Sequence, residues 1–159
     1  MAKARDIPGI RPEATFREAA ASAVEVRAEE VFSFRDRVLD TTDIEGVHAM
    51  RVATRRLRAV MEIFAVCFPA KQHRRALREV KNLADVLGER RDPDVMIDGL
   101  EAVATNLGRQ DRSGIRQLEA TLRAEQAQAN VRLAAFLERI DRYRLRERLV
   151  ALAAEARLG

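Results

Sequence analysis

Residues 48–58 read His48-Ala49-Met50-Arg51-Val52-Ala53-Thr54-Arg55-Arg56-Leu57-Arg58. Placed on a helix at about 100° per residue, this stretch sorts into two opposed faces. Met50, Ala53 and Leu57 continue into Val60, Met61, Phe64 and Phe68 as one apolar stripe. His48, Arg51, Arg55 and Arg58 fall together on the other side. The helix thus carries a complete core face and, apart from it, a ladder of cations headed by an imidazole. Like charges one turn apart repel and cost helix stability. Such a column is expected where an anion neutralises it.

The His48–Arg58 motif has no repeat in the chain, but Pro69 breaks the chain and starts another helix with an apolar and a cationic side. A helix predicted over residues 70–88 has Ala76, Leu77, Val80, Leu83, Ala84 and Leu87 as its core stripe. Lys71, Arg74, Arg78 and Lys81 lie on its other side. Two helices joined by a short break pack antiparallel. If their cationic rows lean the same way, they form one basic groove. Residues 48–91 hold eleven Arg or Lys against Glu62, Glu79, Asp85 and Glu89, a net +7 on a chain whose total is +4. The remainder is therefore mildly acidic. A localised basic field points to a localised anion site. Glu62 and Asp85 stand near the rows and are candidates for pairing with arginines, while Arg56 and Arg75 point off the main columns.

Outward from this pair, the periodicity predicts helix throughout and strand nowhere. Pro12 opens a helical pattern with Phe16, Ala20, Ala23, Val31, Phe34 and Val38 on one side, ending near Asp40. Thr42 or Asp43 suits the cap of the helix that follows, with Glu45 placed as in a capping box. Gly88 reads as a terminator, and Gly88-Glu89-Arg90-Arg91-Asp92-Pro93 as a tight charged connection. Asp92 and Pro93 suit the cap and first position of a fourth helix, ending at Leu107-Gly108. A fifth helix is expected over 113–140 and a sixth over 142–157, carrying Ile115, Leu118, Leu122, Leu133, Phe136, Leu137, Ile140, Leu145, Leu149 and Leu152. The expected fold is an all-α bundle of about six helices with short connections. Residues 1–11 read as a flexible tail and residues 12–159 as a single domain.

Composition agrees. Ala, Leu, Arg and Glu dominate, with no Trp, one Tyr and six Phe, a helix-forming vocabulary. At 159 residues the chain can bury a core without disulfides or metals. No apolar run approaches the roughly 18 residues of a membrane span. The first residues lack the layout of a secretory signal, so a cytoplasmic location is expected. Cys67, the single cysteine, lies among Phe64, Val66 and Phe68 and reads as a buried inert thiol.

The chemistry of the rows is that of phosphate capture. Guanidiniums hold phosphate oxygens through paired, charge-assisted bonds and stay charged. Ten helical residues span about 15 Å, enough to follow several phosphates of an extended polyanion. His48 heads the cationic column and is a phosphate donor; His73 falls beside the core stripe and reads as structural. Arg90 and Arg91, in the predicted loop, are placed to clamp one end of the site, and Asp92 to cap a helix or orient one of them. Enzymatic readings find little purchase. There is no Gly-rich phosphate loop, no carboxylate cluster for a divalent metal and no Cys/His set with metal-ligand spacing. A non-catalytic binder without cofactor or metal is expected. Single-stranded nucleic acid is the competing ligand, but stacking needs exposed aromatics that this chain barely has.

The run Val47 to Arg58, followed by apolar residues into Phe64, resembles the CHAD family, the conserved-histidine α-helical domains. Leu87-Gly88-Glu89-Arg90-Arg91-Asp92-Pro93-Asp94-Val95 is similar to that family's Leu-Gly-x-x-Arg-Asp-x-x-Val element, in the same order. The resemblance implies a helical domain that binds inorganic polyphosphate through a basic surface. It implies that His48, Arg51, Arg55, Arg58, Arg74, Arg78 and Lys81 face the ligand, with Arg91 matching the second motif. The family usually has two similar helical halves around a basic centre, and this chain resembles the first. A homodimer is therefore expected, a second copy supplying the other half, with Arg139, Arg142, Arg144, Arg146 and Arg148 either joining the shared site or lying on a solvated face. Association with polyphosphate-containing granules, as a helical scaffold, is compatible with this reading.

Overall fold

The apolar stripes read from spacing are the faces on which the helices pack. A computed structural model describes residues 4–105, 108 and 112–158. Among the described residues the elements are α1 (Phe16–Phe32), α2 (Ile44–Ile63), a 3-10 turn (Ala65–Cys67), α3 (Ala70–Ala104), α4 (Arg112–Arg142) and α5 (Leu145–Leu158), with no strand. The all-α class stands, with five α-helices where six were expected.

Met50, Ala53, Leu57 and Met61 of α2 meet Ala76, Val80, Leu83 and Leu87 of α3 in one core. Leu133, Leu137 and Ile140 of α4 and Leu145, Leu149 and Leu152 of α5 complete it, with Ala20, Val24, Ala28 and Val31 of α1. Each large aliphatic side chain buried this way contributes about 1.5–3 kcal/mol before conformational entropy is charged. α1 packs on α2 and α5, and α3 packs on α2 and α4. Cys67 is buried and free. Phe16 is not a core residue: it stays exposed and packs its ring against Phe64, centroids 4.8 Å apart.

The expected boundaries shift for local reasons. α1 starts at Phe16, not Pro12, because Thr15 caps it: the Thr15 hydroxyl accepts from the Glu18 amide at 3.2 Å, and the Glu18 carboxylate accepts from the Thr15 amide at 2.8 Å. α1 stops at Phe32, not near Asp40. Residues 33–39 continue as successive turns, which keep helical spacing and so still bury Val38. The capping box expected at Thr42 and Glu45 does not form. Asp43 occupies the cap position without a side-chain cap bond, and the Thr42 hydroxyl donates to Asp40 instead.

The largest departure lies at Pro93. The expected third and fourth helices are one continuous helix of 35 residues, α3, with Gly88 and Pro93 inside it. Pro93 cannot donate to the carbonyl one turn back and crowds it, which typically costs ~3 kcal/mol. A buried polar network spans the break, with Arg90 Nη2 and Asp94 Oδ2 left without a partner. Arg90 pairs with Asp94 across the proline, Gln126 Nε2 donates to Asp94 at 2.6 Å, and Arg90 Nε donates to Asn130 at 3.0 Å. Asn130 in turn donates to the Leu39 carbonyl at 3.0 Å. Arg90 is fully buried, so neither it nor Asp92 belongs to a loop. Leu107, the expected end of the fourth helix, lies outside the described residues.

Gly46 has a specific reason to be glycine. A Cβ there would stand 2.9 Å from the Arg37 backbone carbonyl oxygen, where the turns after α1 cross α2. Alanine is the better helix former by up to ~1 kcal/mol, but overpacking against fixed backbone costs about 1–3 kcal/mol. The clash wins: Gly46→Ala is expected to lower the melting temperature by several degrees in a thermal scan, whereas unchanged or higher melting would show that the crossing yields freely.

Candidate anion site on the α2 and α3 faces

The basic rows lean toward each other. On α2, Arg56 turns the other way and its Nη1 reaches Glu30 of α1 at 3.0 Å, which marks the α1 side of the helix. Arg58 lies on the opposite flank, and helical spacing puts Arg51 and Arg55 on the same side of α2 as Arg58. On α3, His73 and Lys81 mark the flank facing α2: His73 Nε2 sits 2.8 Å from the Met61 carbonyl, and Lys81 Nζ sits 2.9 Å from Glu62 Oε1. The same Glu62 oxygen accepts from Arg58 Nε at 3.1 Å. One carboxylate therefore joins a cation of each row.

His48, Arg51, Arg55, Arg74 and Arg78 make no ion pair or side-chain hydrogen bond among the described residues. Arg55, Arg58, Arg74 and Arg78 are exposed, while His48, Arg51 and Lys81 are half-buried. The structure thus brings Arg58 and Lys81 together and leaves four arginines of the two rows free to take an outside anion. Bonds from Lys81 and then Arg58 hold the Glu62 carboxyl below its ordinary pKa, so it is ionised at neutral pH.

Arg91 is half-buried, and its guanidinium donates to the Ile44 carbonyl at 3.4 Å, fastening the middle of α3 to the first residue of α2. Arg90 is held in the buried network and cannot clamp a ligand. His73 is structural. A carbonyl only accepts, so His73 Nε2 carries the proton and satisfies one of the carbonyls that the end of α2 leaves open; its ring also stacks on Phe68, centroids 5.6 Å apart. Asp85 is exposed and makes no ion pair among the described residues, and Arg75 lies 3.9 Å from Glu79. In the C-terminal stretch, Arg148 pairs with Glu79 and Arg139 stacks over the Phe136 ring at 4.6 Å. Arg142, Arg144 and Arg146 are exposed around the α4–α5 corner.

Two features escaped the sequence reading. Glu30 is a buried acid gripping both Arg27, at 2.7 Å, and Arg56. The Arg90–Asp94 pair also went unread, although its i,i+4 spacing was the available signal. No group of His, Cys, Asp or Glu among the described residues has the arrangement to hold a metal ion, and no described helix is long and apolar enough to cross a membrane.

A family model, that of the CHAD domain, matches residues 22–158. The chain belongs to the CHAD family. Two uncharacterized proteins of Mycobacterium tuberculosis resemble this CHAD domain: Rv2226 of strain H37Rv is 32% identical over 125 residues, and MT2285 of strain CDC 1551 is 31% identical over 125 residues. Each match covers 76% of this chain and 24% of the relative, so the chain spans about a quarter of the length of these relatives. No solved structure matches.

Proposed function

We propose that this CHAD domain binds inorganic polyphosphate, without catalysis, along the groove between α2 and α3. The observation that carries the reading is the convergence of two cationic rows on one carboxylate, with four further arginines left without an acid. The mechanism is electrostatic capture. A flexible polyanion lays successive phosphates against Arg51, Arg55, Arg58, Arg74, Arg78, Lys81 and His48, releasing its condensed counterions, so affinity falls steeply with salt. Neither α2 nor α3 contains a Phe, Tyr or Trp, so the groove offers no platform for stacking bases. That composition favours a polymer of phosphate alone over single-stranded nucleic acid. The test is titration with long-chain polyphosphate and with single-stranded DNA of matched charge, at low and near-physiological salt. Polyphosphate binding that outlasts DNA binding as salt rises supports the reading, and equal binding of the two polymers overturns it. Location at polyphosphate-containing granules follows from the same affinity.

The proposal includes a second copy of the chain, which would face its own groove toward the first and complete a two-half site. Beyond Pro93, the outer side of α3 shows Val95, Met96 and Val103, each just over half exposed, an apolar stripe suited to a partner helix. Sedimentation at micromolar concentration is expected to give a dimer; a clean monomer would overturn this part.

A further inference from the structure

Glu62 stands inside the cationic column. It shares a flank of α2 with Arg51, Arg55 and Arg58, and a single oxygen, Oε1, takes both Lys81 Nζ at 2.9 Å and Arg58 Nε at 3.1 Å. All three side chains are open to solvent, at 41% for Glu62 and Lys81 and 45% for Arg58. Ion pairs this exposed contribute little to folding, so fastening α2 to α3 is a poor account of the arrangement. The buried contacts between Met61 and His73 and in the core below already do that. What the carboxylate does is supply an anion at the place where the two rows meet.

We propose that Glu62 sets the affinity threshold of the groove: an internal competitor that a phosphate must displace from Arg58 and Lys81. This rests on the polyphosphate reading above. A displaced carboxylate imposes the same penalty on every ligand that takes its place. An anion with few charges recovers little elsewhere and is rejected. A chain that also engages Arg51, Arg55, Arg74 and Arg78 recovers the penalty several times over. The number of linked phosphates sets the ranking of ligands, and the uniform penalty moves the whole ranking to weaker binding, so that orthophosphate and short condensed phosphates fall out of the useful range first.

The experiment compares wild type, Glu62→Gln and Asp85→Asn for binding of tripolyphosphate and long-chain polyphosphate across a salt series. Asp85→Asn makes the same change in charge on the same face without opening a bridge. Glu62→Gln is expected to bind long chains and tripolyphosphate alike roughly 3- to 10-fold tighter, the combined worth of two exposed pairs. Its salt slope should steepen by about 0.7, one more phosphate neutralised. Asp85→Asn should gain less than twofold. Equal gains in the two variants would reduce the effect to the general field and overturn the proposal. Unchanged or weaker binding by Glu62→Gln would overturn it too, and an accompanying drop in melting temperature would identify Glu62 as a helix tie. A wild type that binds no polyphosphate would overturn the groove reading itself, and the competitor with it.

Discussion

Replacing Arg51 and Arg55 together by Ala is expected to weaken polyphosphate binding about 100-fold. Both sit on the same side of α2 as Arg58, one turn apart, and neither has an acid partner among the described residues. A phosphate arriving there displaces only water and counterions. Hydrogen bonds to charged groups are worth about 1.5 kcal/mol each at the low end, so two lost contacts amount to roughly 3 kcal/mol, or two decades in affinity. The salt dependence should change with it. If each contact neutralises one phosphate of a flexible chain, the slope of log affinity against log salt falls by about 1.4 for the pair. Folding should not suffer, because removing two like charges at i and i+4 relieves a repulsion of a few tenths of a kcal/mol. Arg75→Ala is the matched comparison. Arg75 turns toward Glu79, 3.9 Å away, so its loss should cost far less affinity. Equal losses from Arg75→Ala and from either groove arginine would mean that the ligand senses net charge and not the groove.

The second large effect is on stability. Asp94→Ala is expected to destabilise the fold by about 3–5 kcal/mol, because it leaves the Arg90 guanidinium buried without a counter-charge. Both side chains are wholly inaccessible to solvent. For a chain of this size that corresponds to a melting temperature lower by roughly 6–20 °C. The loss should be greater than for an ordinary buried pair's hydrogen bonds alone, since Asp94 also holds Gln126 and bridges the turn that Pro93 interrupts. Replacing the pair together, as Arg90→Met with Asp94→Leu, should recover most of the loss, because a buried ion pair and apolar residues of similar volume differ little in stability. Urea denaturation of the wild type, the single and the double variant reads all three. A loss below 1 kcal/mol for Asp94→Ala would show that water reaches Arg90.

The faces of α2 were legible residue by residue: Met50, Ala53, Leu57 and Met61 are buried, and the arginines predicted opposite them are not. The same held for α3 and for His73 and Cys67. Those outcomes depend on a helix's own geometry, which repeats every 3.6 residues whatever it packs against. The misreadings fell where another partner overrode the expected signal, from α4 at Pro93 and from Asp40, two residues away, at Thr42. Pro93 and Gly88 are sound reasons to end a helix, and Thr42 with Glu45 a sound reason to begin one.

Sequence by itself determined the helical class, the core stripes, the sidedness of each basic row and the motifs that place the chain in its family. Only the tertiary structure decided that α3 runs unbroken through Pro93, that Arg90 belongs to the interior, that Arg91 reaches the Ile44 carbonyl, and that Lys81 joins Arg58 on Glu62. The physical reason is common to all four. A row of charges along one helix, and its i,i+4 pairs, are set by local spacing, but whether a charge is buried or drawn to a second partner depends on groups from another helix or turn, tens of residues away in the chain for Arg90 and Arg91. No local period encodes which of these groups it will meet.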